Sequence, residues 1–180
     1  MKTEKVYIEF LLLNAQHGEK SALSDLLPLV RHKMMSYAVR VMRNASDAED
    51  CVQEGMLVVL KKFNKVKDVK AFHGWVYQVI NSRCHDHWRY QQRDLRSAVS
   101  IDDLAAQSTE PLLHERSDSL FDIKMSMTQL SGVHRSVIYL FYFEGFKVAE
   151  IAAILGKPAG TIKSDLFDVR QAIKKFLNQE

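Results

Sequence analysis

The chain has 180 residues, of which 47% are hydrophobic, enough for one medium domain or two small ones and too many for a disordered protein. The longest apolar run, Val137 to Phe143, is much too short to span a membrane. Lys and Arg outnumber Asp and Glu by 15 to 10 in residues 1–93, fall short by 2 to 5 in residues 94–117, and stand at 8 to 7 in residues 118–180. The early basic excess is a modest indication of a polyanionic partner.

Two helices are predicted at the start of the chain. Apolar residues at helical spacing predict the first over residues 4–16, with Gly18 as its C-cap. Because Glu9 interrupts this apolar stretch and no small-residue cleavage site follows, we expect no secretory signal and a cytoplasmic protein. The second helix is predicted over about residues 20–43, with a kink or a restart at Pro28, since proline has no backbone N–H.

A third helix is predicted after the turn at residues 44–46. Ser46 followed by Glu49 is typical of a capping box, which would begin the helix. Apolar residues recur through it at helical spacing and predict one buried face. They are Ala48, Cys51, Val52, Met56, Val59, Leu60 and Phe63. The opposite face is acidic near the start of the helix and basic near its end, the order that suits the helix dipole.

A fourth helix is predicted from near Asp68 to about Gln92. Its apolar stripe consists of Phe72, Trp75, Val76, Val79, Ile80, Cys84 and Trp88. The other faces combine aromatic, amide and basic side chains, a mixture that suits single-stranded nucleic acid. Cys51 and Cys84, the two cysteines of the chain, both lie on apolar stripes and are predicted to be reduced core residues.

The remainder of the chain divides into a polar stretch and a second helical part. Residues 94–117 are rich in Ser, acids and small residues and contain Pro111, which predicts an inter-domain linker. Further helices are predicted over about residues 119–130, 132–144, 148–155 and 159–178. The last two form a helix-turn-helix candidate around Gly156. We therefore expect an all-α protein with two small helical domains, residues 1–93 and 118–180, joined by a flexible linker.

The sequence carries no constellation typical of an enzyme. There is no phosphate-binding loop, no zinc-protease motif and no nucleophile elbow. The run of residues 84–87, Cys-His-Asp-His, could suggest a metal site. On a helix, however, His85 and His87 would point about 160–200° apart and could not share one ion. We expect neither catalysis nor a cofactor or metal.

Two stretches of the chain are recognisable. The third and fourth helices contain DAEDCVQEGMLVVLKKF and AFHGWVYQVINSRCHDHWR, which resemble region two of bacterial RNA polymerase sigma factors, most of all the extracytoplasmic-function (ECF) group. A later stretch resembles region four of the same family; it reads LSGVHRSVIYLFYFEGFKVAEIAAILGKPAGTIKSDLFDVRQAIKKFL. Together, in this order, the two resemblances cover nearly the whole chain and are far more specific than a helix-turn-helix alone.

The resemblance implies a transcription initiation factor that binds core RNA polymerase and reads both promoter elements. It assigns the exposed face of the third helix, Asp50, Gln53 and Glu54, to the docking surface for the clamp helices of the large polymerase subunit. The charge pattern alone would favour an ordinary solvated helix face there. In sigma factors the linker threads through the polymerase, and the acidity of residues 94–117 would suit mimicry of a nucleic-acid strand.

The resemblance also implies two sets of DNA contacts. The turn after the third helix and the helix that follows it would open the promoter near minus ten and hold its non-template strand. The residues expected to do so are Lys65, Lys67, Phe72, His73, Tyr77, Gln78, Asn81, Ser82, Arg83 and Arg89. Trp75 is expected to be mainly core. The family commonly has Asn where this chain has Ser82, which leaves the base preference there open.

The recognition helix of the second part is expected to contact the minus thirty-five element. Its candidate contacts are Lys157, Thr161, Lys163, Ser164, Phe167 and Arg170. The family commonly has basic residues where this chain has Asp165 and Asp168, and carboxylates near phosphates repel. We therefore predict weak binding by the free domain and a gain in affinity for Asp165→Arg.

Several readings of the whole chain stay open at this point. The leading one is an ECF sigma factor that binds core RNA polymerase and promoter DNA, is held by an anti-sigma factor and does not insert into a membrane. The alternatives are a helix-turn-helix regulator that acts without polymerase and a degenerate sigma-like adaptor that no longer binds DNA.

Overall fold

The computed structural model describes residues 2–98 and 130–177, except for the side chains of residues 2, 94–98, 173 and 175–177. The chain divides into two compact units, Met1–Thr109 and Glu110–Glu180. Every regular element within the described ranges is helical, as the sequence predicts. Among these residues no helix is both long and apolar enough to cross a membrane.

The described residues of the first unit form four α-helices. They are α1 (Lys2–Gln16), α2 (Lys20–Met42), α3 (Ala45–Lys62) and α4 (Phe72–Ala98), with short 3-10 helices at Phe63–Lys65 and Val69–Ala71 between the last two. The central element is α2, which packs against α1, α3 and α4. Leu26, Met34, Tyr37 and Val41 on α2 have no solvent exposure. Because three helices share this one face, α2 sets the position of all the others.

Pro28 lies inside α2, which continues from Lys20 to Met42 without a break. The predicted restart is therefore wrong. A proline inside a helix removes one backbone hydrogen bond, but Leu26 and Val30 on either side of it are fully buried. Burial of large apolar side chains contributes roughly 1.5–3 kcal/mol each, enough to offset the lost bond.

The start of α3 differs from the prediction. Asn44, with an extended backbone, is the N-cap, and its side-chain oxygen accepts hydrogen bonds from the N–H groups of Ser46 (2.9 Å) and Asp47 (3.2 Å). The predicted capping box at Ser46 is wrong, because Ser46 already lies within the helix. Glu49 instead forms an ion pair with Arg31 of α2, with a distance of 2.5 Å between Arg31 Nη2 and Glu49 Oε1.

The buried face of α3 includes Gly55 and Cys51. Gly55 is buried, and a Cβ there would lie 3.4 Å from Met34 Sδ of α2 and 3.7 Å from Val79 Cγ1 of α4, which places Gly55 where the three helices meet. Cys51 and Cys84 are free and buried, as predicted. A hydrogen bond between the two thiols lowers the pKa of Cys51 and, together with burial, raises the pKa of Cys84. The pair therefore joins α3 to α4 as a small polar contact inside an apolar core.

The fourth helix extends further than expected. It continues to Ala98 and so includes five residues of the stretch predicted to be a linker. Residues 99–117, the rest of that stretch, lie outside the described residues. So does the helix predicted over residues 119–130, apart from Leu130.

The described helices of the second unit are α5 (Gly132–Ile138), which runs on into a π-helical turn at Tyr139–Phe143, α6 (Val148–Leu155) and α7 (Ala159–Leu177). The predicted turn at Gly156 is confirmed, since this residue caps α6 with a φ of 64°, a conformation that favours glycine. Ile151 and Ile162, one on each side of the turn, are fully buried. The two helices pack against each other and form the helix-turn-helix pair.

Replacing Asn44 tests the observed cap of α3. We expect Asn44→Ala to lower the free energy of unfolding of the first unit by about 1 kcal/mol, because two backbone N–H groups lose their acceptor. Ser46→Ala, its matched control, should change it by less than about 0.5 kcal/mol. Urea denaturation followed by the fluorescence of Trp75 and Trp88 measures both. A larger effect from Ser46→Ala would restore the capping box.

Candidate nucleic-acid and protein interfaces

The outer face of α3 presents the three residues expected to bind protein. Asp50, Gln53 and Glu54 are all exposed. Next to them, Leu57 and Leu60 are 56% and 42% exposed. The prediction that Leu60 belongs to the buried face is wrong, because residues 53, 57 and 60 share one side of a helix. We call these five residues the α3 face. It combines polar and apolar groups, as protein–protein interfaces do.

Neighbouring carboxylates of α3 are turned towards α4. Asp47 Oδ1 lies 3.3 Å from His87 Nε2, and Asp47 Oδ2 accepts a hydrogen bond of 3.2 Å from Gln91. Glu54 lies 3.7 Å from Arg83, which also lies 3.5 Å from Asp86. Arg83, an expected DNA contact, is thus already paired with two carboxylates. One of them belongs to the α3 face.

The turn after α3 exposes a group of lysines. Lys65 and Lys67, both expected DNA contacts, are exposed, and so is Lys70. The backbone between them is held by side chains, since Asp68 accepts a hydrogen bond of 2.9 Å from the N–H of Lys70. We call residues 63–71 the basic turn. The side chains of its lysines therefore extend from an ordered backbone.

Three of the aromatic residues expected to contact DNA lie in the core. Phe72 and Tyr77 have no exposed surface and His73 has 8%. The Tyr77 ring meets Tyr37 edge-on at 5.7 Å, and the His73 ring meets Tyr77 at 5.3 Å. A ring without exposed surface cannot stack on a base unless this packing opens. The structure therefore does not support these three residues as surface contacts. The reason is that the first turns of α4 pack onto α2.

The outer side of α4 carries the remaining polar candidates. Gln78, Ser82 and Arg89 are exposed, together with His85, which sequence reasoning did not place among the contacts. Their spacing of four, three and four residues puts them on one side of the helix. Asn81 is half-buried, and its side-chain oxygen accepts a hydrogen bond of 2.8 Å from Tyr37. Trp75, expected to be core, is half-buried and packs beside Phe72.

The recognition helix α7 presents a polar surface. Thr161, Lys163, Ser164, Phe167 and Arg170 are all exposed. The Arg170 guanidinium donates a hydrogen bond of 2.9 Å to the hydroxyl of Tyr142 and lies 5.9 Å from the Phe141 ring centre. The π-helical turn after α5 therefore holds Arg170 in place.

Asp165 does not face outward with these residues. Its side chain is only 15% exposed and lies 3.5 Å from Lys157 Nζ and 3.9 Å from His134 Nε2. Asp165 thus links α5, the turn and α7, and it engages Lys157, an expected DNA contact. The expectation that Asp165 repels phosphates does not fit this geometry, because its charge is directed at two basic groups. Asp168, in contrast, is exposed.

Comparison with known proteins agrees with these two units. Residues 24–94 match the family model for Sigma-70 region 2, and residues 120–173 match the model for Sigma-70, region 4. These matches define the class of protein as a sigma-70 factor. The first unit therefore corresponds to region 2 and the second to region 4.

Individual relatives specify the group. The ECF RNA polymerase sigma factor SigL of Mycobacterium tuberculosis is 30% identical over 173 residues, which cover 95% of this chain and 92% of SigL. SigW of Bacillus subtilis is 23% identical, and the match covers 96% of this chain and 98% of SigW. The RNA polymerase sigma-H factor of Pseudomonas aeruginosa is 25% identical, and the match covers 93% of this chain and 92% of that factor. The chain belongs to the ECF RNA polymerase sigma factors and is a transcription initiation factor.

Solved structures show the same fold. A co-crystal structure of the sigma factor RpoE with the anti-sigma factor NepR from Bartonella quintana superimposes with a TM-score of 0.68, at 25% identity, and covers 87% of this chain and 96% of that one. CnrH, in complex with the cytosolic domain of CnrY, superimposes with a TM-score of 0.64 at 18% identity and covers 97% and 99%.

Replacing Asp165 tests its structural role. We expect Asp165→Asn to destabilise the second unit by about 1 kcal/mol, because the contacts with Lys157 and His134 lose their charge. Amide hydrogen exchange in α7 measures this loss of protection. Asp168→Asn, which changes an exposed carboxylate three residues away, should have almost no effect. Equal effects of the two substitutions would contradict the role assigned to Asp165.

Proposed function

We propose that this chain carries core RNA polymerase to specific promoters, with the first unit binding the polymerase and the minus ten element and the second unit binding the minus thirty-five element. The observation that carries the proposal is the succession of Sigma-70 region 2 and region 4 along one chain. The chain would act as a subunit without catalysis, in the cytoplasm. The residues between the two units would form the linker.

The α3 face is the surface proposed to dock on the polymerase. Asp50, Gln53 and Glu54 provide charge and hydrogen-bonding groups, while Leu57 and Leu60 provide apolar contact area. Partly exposed leucines next to polar groups suit an interface that buries a small apolar centre within a polar rim. Helix α4 turns another side, that of Gln78 and Arg89, to solvent, so one unit can hold protein and DNA at the same time.

The basic turn and the outer side of α4 are proposed to hold the opened strand near minus ten. The expected contacts that are exposed are Lys65, Lys67, Gln78, Ser82 and Arg89, and His85 lies on the same side of α4. Separating about ten base-pair steps costs on the order of 14 kcal/mol, at roughly 1.4 kcal/mol each. Stacking returns only about 1–3 kcal/mol for each base. This small unit can therefore choose where melting begins, while the polymerase supplies the remaining binding energy.

The second unit is proposed to read the upstream element with α7. Thr161, Lys163 and Ser164 in its first turns would enter the major groove, and Arg170 would contact the backbone. The near balance of charge in residues 118–180 predicts weak binding by this unit alone. Attachment to the polymerase would raise its effective concentration at the promoter.

An anti-sigma factor is the proposed regulatory partner. Support comes from the similarity to RpoE, which was crystallised with the anti-sigma factor NepR. The chain also exposes large apolar residues in both units, among them Phe10 and Leu13 on α1 and Tyr142 and Phe143 after α5. Such groups suit a protein partner that holds the chain inactive.

Run-off transcription with purified core polymerase tests the proposed function. We expect defined start sites that appear only when this chain is added, and Asp50→Ala combined with Gln53→Ala should weaken polymerase binding at least about tenfold. Asp25→Ala, which removes an exposed carboxylate from α2, serves as the control. DNA binding without polymerase would indicate an independent helix-turn-helix regulator. Polymerase binding without start sites would indicate an adaptor.

Asp168 is the residue at which charge repulsion on the recognition helix is best tested. We expect Asp168→Lys to increase promoter affinity of the holoenzyme and to steepen its salt dependence by about one unit of slope, since a new cation displaces a counterion. Filter binding over a series of salt concentrations measures both. Asp25→Lys carries the same change in charge outside α7 and should leave the slope unchanged. No gain at any salt concentration would contradict repulsion by Asp168.

A further inference from the structure

Gln16, the last residue of α1, reaches across the first unit to the basic turn. Its side-chain amide donates one hydrogen bond to the carbonyl of Phe63 (2.8 Å) and another to the carbonyl of Val66 (2.9 Å). These carbonyls lie 47 and 50 residues further along the chain. The two N–H groups of this one amide therefore bind two backbone carbonyls of the same turn.

The two carbonyls flank Lys65 and immediately precede Lys67. Phe63 begins the short 3-10 helix, and the N–H of Val66 closes the turn on the Phe63 carbonyl at 3.2 Å. Lys65 lies between the two pinned residues and Lys67 directly follows them. The Phe63 side chain is buried, and α1 packs against both short helices of the turn. The lysines thus extend from a backbone fixed at both ends by α1.

An amide suits this position for a chemical reason. It is neutral and has two N–H donors, so it can bind two carbonyls without adding charge beside a group of cations. A carboxylate at this position would place its own acceptor oxygens against the two carbonyl oxygens, which also accept and cannot donate. Without such a clamp, the segment after the buried Phe63 side chain would open locally at low cost, because residues 64, 65, 67 and 68 are all exposed.

We propose that Gln16 is a positioning residue that holds the basic turn in the conformation in which Lys65 and Lys67 meet promoter DNA. The proposal rests on the function proposed above for the turn. Gln16 lies outside the residues that match the family model for region 2, which begin at residue 24. It would act through the turn, without touching DNA or polymerase itself.

Proteolysis of the free protein tests the clamp without DNA. We expect Gln16→Met, which keeps the length of the side chain but removes both donors, to speed tryptic cleavage after Lys65 and Lys67 by about tenfold. Gln16→Glu should do the same. Gln92→Met, the same change at an exposed position of α4, should have no effect, and cleavage after Lys163 in the second unit provides an internal reference. Unchanged cleavage in both Gln16 variants would overturn the proposal.

Promoter opening by the holoenzyme tests the consequence. We expect Gln16→Met to leave polymerase affinity unchanged and to reduce permanganate reactivity of the opened strand about fivefold, since the lysines lose their fixed position. In a Lys65→Ala, Lys67→Ala background, Gln16→Met should cause no further loss. A full additional loss in that background, or a parallel loss of polymerase affinity, would overturn the positioning role.

The two experiments separate this proposal from the one on which it rests. If Lys65→Ala with Lys67→Ala leaves opening unchanged, the DNA role of the basic turn fails, and the role of Gln16 in opening fails with it. The rate of tryptic cleavage then still decides whether Gln16 clamps the turn. If the lysine substitutions reduce opening and Gln16→Met does not, only the role of Gln16 is refuted.

Discussion

The first unit depends on the burial of one face of α2 against three other helices. Leu26, Met34, Tyr37 and Val41 are removed from solvent together, and Gly55 of α3 packs beside Met34. Such a shared core stabilises each helix more than its own propensity does. It also determines which sides of α3 and α4 remain outside. The surfaces proposed for polymerase and DNA are those that the packing on α2 leaves exposed.

The two proposed surfaces of the first unit are electrostatically connected. Glu54 on the α3 face lies within ion-pair distance of Arg83 on α4, and Arg83 also faces Asp86. Exposed ion pairs of this kind contribute little to stability, typically about 0–1 kcal/mol. Their effect is on geometry and charge, because a protein partner that engages Glu54 would change the partners of Arg83. The surface proposed for polymerase and the outer side of α4 are therefore joined through Arg83.

In the second unit, two charged residues of the recognition helix make contacts within the fold. Asp165 lies among basic groups of α5 and of the turn, so it connects the recognition helix α7 to both. From the sequence, the same residue was expected to repel DNA. Arg170 is similarly held by Tyr142. The side chains left for the major groove are few and weakly basic in total. A second unit of this kind suits reading DNA when the polymerase delivers it.

By itself, the sequence determined the local features of this protein: the helices and their approximate ends, the turn at Gly156, the buried cysteines and the exposed Asp50, Gln53 and Glu54. Periodicity and turn chemistry act over a few residues, so they can be read directly. Only the tertiary structure decided that Phe72 and Tyr77 face inward, that Leu60 faces outward, that Asp165 pairs with His134 and that Gln16 holds a turn 47 residues away. Each of these depends on which helix packs where, and contacts between distant residues leave no mark in local spacing.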